Sequence, residues 1–196
     1  MNEPSKATRR WYVLHTVRQS VADATSVLAK QGIATYVAQQ YRHFRKDGDD
    51  IVRLAELIPH TLFASLTQHE FDTIFCRNMD DTTQQPQSLP SVTYHYDMSY
   101  RNIEGKREPL TIPDSQMHNF IIATQTHDEQ LSVLPADWQP KDGGQAVRVV
   151  RGRYKGLYGT LTSNKSGQRY IVVSLKGLVS VKMPRIRNAH LSPLNS

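Results

Sequence analysis

Gly144-Gln145-Ala146-Val147-Arg148-Val149-Val150-Arg151-Gly152-Arg153-Tyr154-Lys155-Gly156-Leu157-Tyr158-Gly159-Thr160-Leu161 sets the architecture of the C-terminal part of the chain. A β-branched run (Ala146 to Val150) leads into a glycine-bracketed turn around Tyr154, and Thr160-Leu161 resumes strand chemistry. Gly152, Gly156 and Gly159 admit backbone conformations that a side chain forbids, and Tyr154 is expected to pack over the bend. Tyr170 to Leu175 and Leu178 to Val181 repeat the pattern of short strands divided by glycine-bearing turns. About five strands in roughly fifty residues describe a small SH3-like β-barrel, because closing a sheet removes its exposed edges.

Upstream of this stretch the pattern dissolves between Gln125 and Gly143, where His127-Asp128-Glu129, Pro135 and Pro140 read as a linker. Before it lies a different grammar. Trp11 to Val17 is an aromatic and β-branched strand, and Ser20 caps a helix over about residues 21–31 that Gly32 stops. Ile33 to Tyr41 reads as a strand, and the turn Lys46-Asp47-Gly48-Asp49-Asp50 joins a hairpin to a strand from Ile51 to Leu57. Thr61 to Leu66 is a further strand, Glu70 to Phe75 a short helix, Asn78 to Pro90 a loop and Val92 to Tyr96 a strand. Pro113 opens a last helix carrying Met117, Phe120 and Ile121 on one face. The expected fold is α+β: a mixed α/β sandwich with an antiparallel sheet over residues 1–124, a linker over 125–143 and a barrel over 144–196.

Charge separates these parts. The net charge is +6, but residues 141–196 hold eleven Lys and Arg against one acid, Asp142, which is +10. Residues 1–140 hold thirteen basic and seventeen acidic side chains, or −4. The C-terminal part is therefore expected to meet a polyanion or an acidic protein surface. The single cysteine, Cys76, excludes an internal disulfide framework and a multi-thiolate zinc site. A polar N-terminus and the lack of a long apolar stretch lead us to expect no membrane span and a cytoplasmic location.

The Gly144 to Leu161 text resembles the KOW motif, which places a strand, a glycine turn, an aromatic, a second glycine and another strand in this order. Arg10-Trp11-Tyr12-Val13-Leu14-His15-Thr16 and Leu57-Ile58-Pro59-His60-Thr61-Leu62-Phe63 resemble the two best-marked segments of the NusG N-terminal domain. Tyr100 to Met117 further resembles the UpxY branch, whose members accompany capsular polysaccharide loci. The resemblance implies a monomeric, operon-specific elongation and antitermination factor. Its N-terminal domain would grip the clamp helices of the largest catalytic subunit of RNA polymerase and bridge the DNA cleft. The contacting sheet face would carry Trp11, Val13 and His15, Thr61 and Phe63, and Tyr94 and Tyr96, with alternate strand residues sharing a face.

Two departures favour a specialist over a housekeeping factor. Ile58-Pro59-His60-Thr61 stands where relatives show a Phe-Pro-Gly-Tyr type stretch, and Lys176 stands where the last barrel turn carries a Phe. In the family that turn contacts termination factor Rho and a small-subunit ribosomal protein, so both partnerships are weakened here.

For nucleic acid, Arg18 and Lys30 flank the first helix, where operon-specific relatives touch non-template DNA. In the barrel, Arg148, Arg151, Arg153, Lys155, Arg169, Lys182, Arg185 and Arg187 offer phosphate contacts, with nascent RNA as the partner and Arg151, Arg153 and Lys155 the principal set. No cofactor, metal or catalytic residue is expected. The eight histidines show no metal-binding spacing, the glycines around Lys155 lack the P-loop ending, and no nucleophile elbow exists. The alternative reading is a ribosome-associated or RNA-binding KOW protein that acts without polymerase.

Overall fold

The computed structural model describes residues 8–17, 20–75, 91–135, 138–140, 143–175 and 178–194. Arg18, Cys76, Lys176 and the expected loop from Asn78 to Pro90 lie outside the described residues. The elements run β1 (Arg10–Thr16), α1 (Val21–Lys30), β2 (Ala34–Tyr36), β3 (Gln39–Lys46), β4 (Asp49–Glu56), β5 (Thr61–Leu66), α2 (Gln68–Phe75) and β6 (Val92–Tyr94). They continue with β7 (Thr111–Ile112), α3 (Asp114–Thr124), β8 (Ser132–Val133), β9 (Gln145–Val149), β10 (Tyr158–Ser163), β11 (Arg169–Leu175) and β12 (Val179–Lys182). A 3₁₀ turn (Asn188–His190) and β13 (Leu191–Pro193) follow. Two compact units result, one from residues 1–37 and 60–114, the other from 38–59 and 115–196.

The first unit is an antiparallel sheet in the order β2-β5-β1-β6, with β7 sharing the outer edge of β1. Alternation along β1 sends Tyr12 and Leu14 to one face, where they join Leu62, Ala64 and Leu66 of β5. α1 covers this face with Val21, Ala24 and Leu28, and α2 with Phe71, whose ring stacks on Tyr12 at 4.4 Å between centroids. Each fully buried side chain of this size contributes about 1.5–3 kcal/mol relative to exposure. Both helices start where the sequence supplies a cap. Ser20 Oγ accepts the Asp23 N–H at 3.1 Å, and Thr67 and Glu70 exchange side-chain-to-backbone bonds in a capping box. The α2 cap was not anticipated from sequence.

In the second unit β3 and β4 form a two-stranded hairpin whose two-residue turn, Asp47 at φ 54° and Gly48 at φ 94°, has both residues left-handed. The run from Ile33 to Tyr41 is thus not one strand: it breaks after Tyr36, and β2 and β3 enter different sheets. The C-terminal sheet is six-stranded and antiparallel, in the order β13-β9-β10-β11-β12-β8. The closed barrel expected from sequence is here an open sheet, because the free edge of β12 is taken by β8, from the stretch read as a linker. Leu134 N–H to Ser180 carbonyl extends that pairing.

Close strand approach explains one glycine: a Cβ at Gly159 would lie 2.5 Å from Ile171 Cγ2 and 2.8 Å from the Val172 carbonyl oxygen. α3 is fastened to this sheet by Asn119, whose side chain donates to the Tyr158 carbonyl at 2.8 Å and accepts the Tyr158 N–H at 2.7 Å.

Candidate functional site

β1 and β5 pair in a register that sets Val13 opposite Phe63 and His15 opposite Thr61. Trp11, Val13, His15, Thr61 and Phe63 therefore share one sheet face, the one turned away from the α1/α2 core. Its members are not equally accessible. Val13 and Phe63 are fully buried and Thr61 is buried, while Trp11 and His15 are half-buried. The expectation of an openly exposed face thus fails for its centre, where Val13 and Phe63 are in register and fully buried.

Tyr94 and Tyr96 do not belong to that face. β6 pairs with β1 so that Tyr94 lies opposite Leu14, on the core side. There its ring meets Phe71 at 5.0 Å and Phe75 at 5.4 Å. Tyr96 follows it, its ring 5.0 Å from Tyr94 and its hydroxyl 3.2 Å from the Tyr94 hydroxyl, with much of its surface exposed. The residues that β6 and its continuation give to the Val13 face are Thr93 and His95, one position out of step with the tyrosines.

This offset produces a histidine group that sequence spacing did not reveal. The His15 ring packs edge-on against His60 and His95, with both centroid distances 5.8 Å. Burial holds the His95 imidazole below its usual pKa, and the charge of His15 adds to the effect. His95 Nε2 is buried without a hydrogen-bond partner among the described residues. His60 has φ 56°, the left-handed conformation that glycine adopts freely. No group of three or more His, Cys, Asp or Glu among the described residues is arranged to hold a metal ion.

The basic side chains fall into different environments. Lys30 is exposed in the last turn of α1, where it complements the helix dipole. Arg151 and Lys155 are exposed in the turn between β9 and β10. Arg153, in the same turn, pairs with the Asp128 carboxylate and lies over the Tyr154 ring at 4.8 Å. Arg153 is thus engaged within the fold, unlike its expected role as an open phosphate contact. Tyr154 packs into the bend as anticipated, is 4% exposed, and meets Thr126 through its hydroxyl at 3.1 Å. Burial pushes its phenol pKa up. Arg148 and Lys182 lie over Tyr158 and Tyr170. Among the described residues no helix is long and apolar enough to cross a membrane.

A family model described as "Transcription termination factor nusG" matches residues 9–121. No curated protein matches the chain. Among solved structures, a chain from the structure described as "Domain interaction in Thermotoga maritima NusG" is similar, with 12% identity and a TM-score of 0.45. That likeness covers 96% of this chain and 98% of the other.

Proposed function

The chain belongs to the NusG family of transcription elongation and termination factors, and from that premise we propose that it is a specialised member acting on the elongating RNA polymerase. The family match over residues 9–121 is the observation that carries this reading. In it, residues 1–124 bind the clamp helices of the largest polymerase subunit, 125–143 link while lending Ser132–Val133 to the C-terminal sheet, and 144–196 form a KOW domain of SH3-like type. The strand order β13-β9-β10-β11-β12 and the 3₁₀ turn before the last strand support the KOW assignment. The protein is a cytoplasmic, monomeric non-enzyme that needs no cofactor.

Trp11 and His15 make the first contacts with polymerase, and Val13, Thr61 and Phe63 form the floor beneath them. Tyr96 contributes from the neighbouring exposed edge. Lys30, Arg18, Arg151 and Lys155 meet the non-template DNA and the transcript by charge. The UpxY-like segment Tyr100 to Met117, and the Ile58-Pro59-His60-Thr61 stretch, support an operon-specific antitermination role at a surface polysaccharide operon. His60 keeps a glycine-like backbone conformation without the glycine, as a diverged paralogue would.

Transcription of a cognate polysaccharide leader containing a terminator, with purified polymerase, tests the reading. Added protein should raise read-through, and Trp11→Ala should abolish the gain. Unchanged read-through on every leader tried would favour the KOW protein acting on RNA without polymerase, a reading motivated by the basic C-terminal sheet.

A further inference from the structure

From residue 143 to the end, the sequence contains no Asp or Glu. Asp128, which lies at the turn around Tyr154, is committed to Arg153 and Tyr154. The remaining cations are not spread evenly. Arg169 at the start of β11, and Arg185 and Arg187 in the segment between β12 and the 3₁₀ turn, line one concavity of about 690 Å³. All three are exposed, and none has an ion pair among the described residues. Gln168 and Asn188 complete its polar wall.

Three arginines lining one space place like charges near one another, and no carboxylate of the described residues lines it. A planar fork with five N–H donors matches a phosphate bidentately, which makes an anion with several oxygens the fitting occupant. The concavity is not isolated. A second one, of about 360 Å³, shares Gly167 and Arg169 with it and runs on past Gln145, Thr162 and Ser163. Together they make a track longer than one phosphate, with amides and hydroxyls for sugar and base edges and with Leu161 and Ile186 as apolar wall. That suits a strand of nucleic acid, whose phosphates meet the arginines while sugars and bases meet the mixed apolar and amide wall.

We propose that this arginine-lined groove binds the sugar–phosphate backbone of a single strand of RNA and carries more of that contact than the Arg151–Lys155 turn. The choice of RNA over DNA rests on the transcription reading above; the groove chemistry does not. Each bound phosphate releases counterions, so affinity falls with salt by about 0.7 log units per contact per tenfold change for a single strand.

The test uses the full chain and a fluorescent unstructured RNA oligonucleotide, without polymerase, over a range of salt concentrations. Arg169→Gln, Arg185→Gln and Arg187→Gln combined should weaken binding at low salt and flatten the salt slope by about 2 units. The matched triple Arg151→Gln, Arg153→Gln and Lys155→Gln should change it by less than half as much. Because all three groove arginines are exposed, circular dichroism should be unchanged. Parallel single-stranded DNA and polyglutamate arms identify the ligand: DNA binding as tight as RNA overturns the choice of strand, and preferential polyglutamate binding overturns the nucleic-acid assignment. Wild-type affinity and slope in the groove variant, or equal flattening by both triples, overturns the site. Loss of polymerase binding elsewhere would leave this result untouched.

Discussion

Replacing Gly159 by Ala adds one methyl group at a close approach between β10 and β11. The new Cβ would stand 2.5 Å from Ile171 Cγ2 and 2.8 Å from the Val172 carbonyl oxygen. Ordinary contact begins at about 3.5 Å, so one side must retreat by about 1 Å. Neither neighbour yields easily. Ile171 is 2% exposed and locked in the sheet core, and Val172 is in register with Thr160 on the adjoining strand. Overpacking of this kind costs about 1–3 kcal/mol, and a contact with backbone belongs at the upper end. Lower unfolded-state freedom of Ala returns about 0.4–1 kcal/mol, for a net loss of about 2 kcal/mol. With a urea dependence of about 1–3 kcal/mol/M, the unfolding midpoint should fall by about 1 M. Gly167→Ala is the internal comparison, because φ there is +79° and nothing lies within 4 Å of the added Cβ. Only backbone strain of about 1 kcal/mol applies to it. Urea titrations followed by far-ultraviolet circular dichroism measure both. Gly159→Ala as stable as wild type, or no worse than Gly167→Ala, would refute the strand packing described for this sheet.

His60→Gly should raise the melting temperature by about 2 °C, since it relieves left-handed strain of about 1–2 kcal/mol at the cost of some unfolded-state entropy. A lower melting temperature would show that the His15 ring contact outweighs the strain. Below the His95 unfolded-state pKa the unfolded chain takes up a proton that the half-buried imidazole resists. Stability supplied by neutral His95 is therefore fully present above about pH 6.5 and declines as pH falls through that value toward the folded pKa. His15 and His60 are the titratable neighbours described at this ring group, so denaturation from pH 7.5 to 5 should be run on His95→Gln and on His15→Gln. A pH profile unaltered in His95→Gln would exclude His95 as its source.

Local signals were legible where one short segment contains its own instructions. Ser20, the apolar spacing of Val21, Ala24 and Leu28, and Gly32 are enough to write α1, and Asp47-Gly48 writes the hairpin turn. Long-range register was not. The break between β2 and β3 falls at Val37-Ala38, where no glycine or proline marks it, because which sheet a strand joins depends on partners far along the chain. Ser132-Val133 is too short to read as a strand until β12 offers an edge. The Trp11, Val13, His15 and Phe63 set followed from alternation, whereas Tyr94 was misassigned because parity within β6 says nothing of its phase against β1. The histidine group escaped for the same reason, its members being 45 and 35 residues apart in the chain, whereas Arg169, Arg185 and Arg187 stood among the barrel cations with nothing in the sequence to set them apart from the rest.

The measurement that bears most directly on the central claim is equilibrium binding of the fluorescently labelled full chain to RNA polymerase elongation complexes. A soluble fragment carrying only the clamp helices serves as competitor. Saturable binding that the fragment displaces, and that Trp11→Ala and Tyr96→Asp weaken at least tenfold while leaving the fold intact, is the predicted result. A folded chain that fails to bind the complexes, or binds them without displacement by the fragment, would contradict the account.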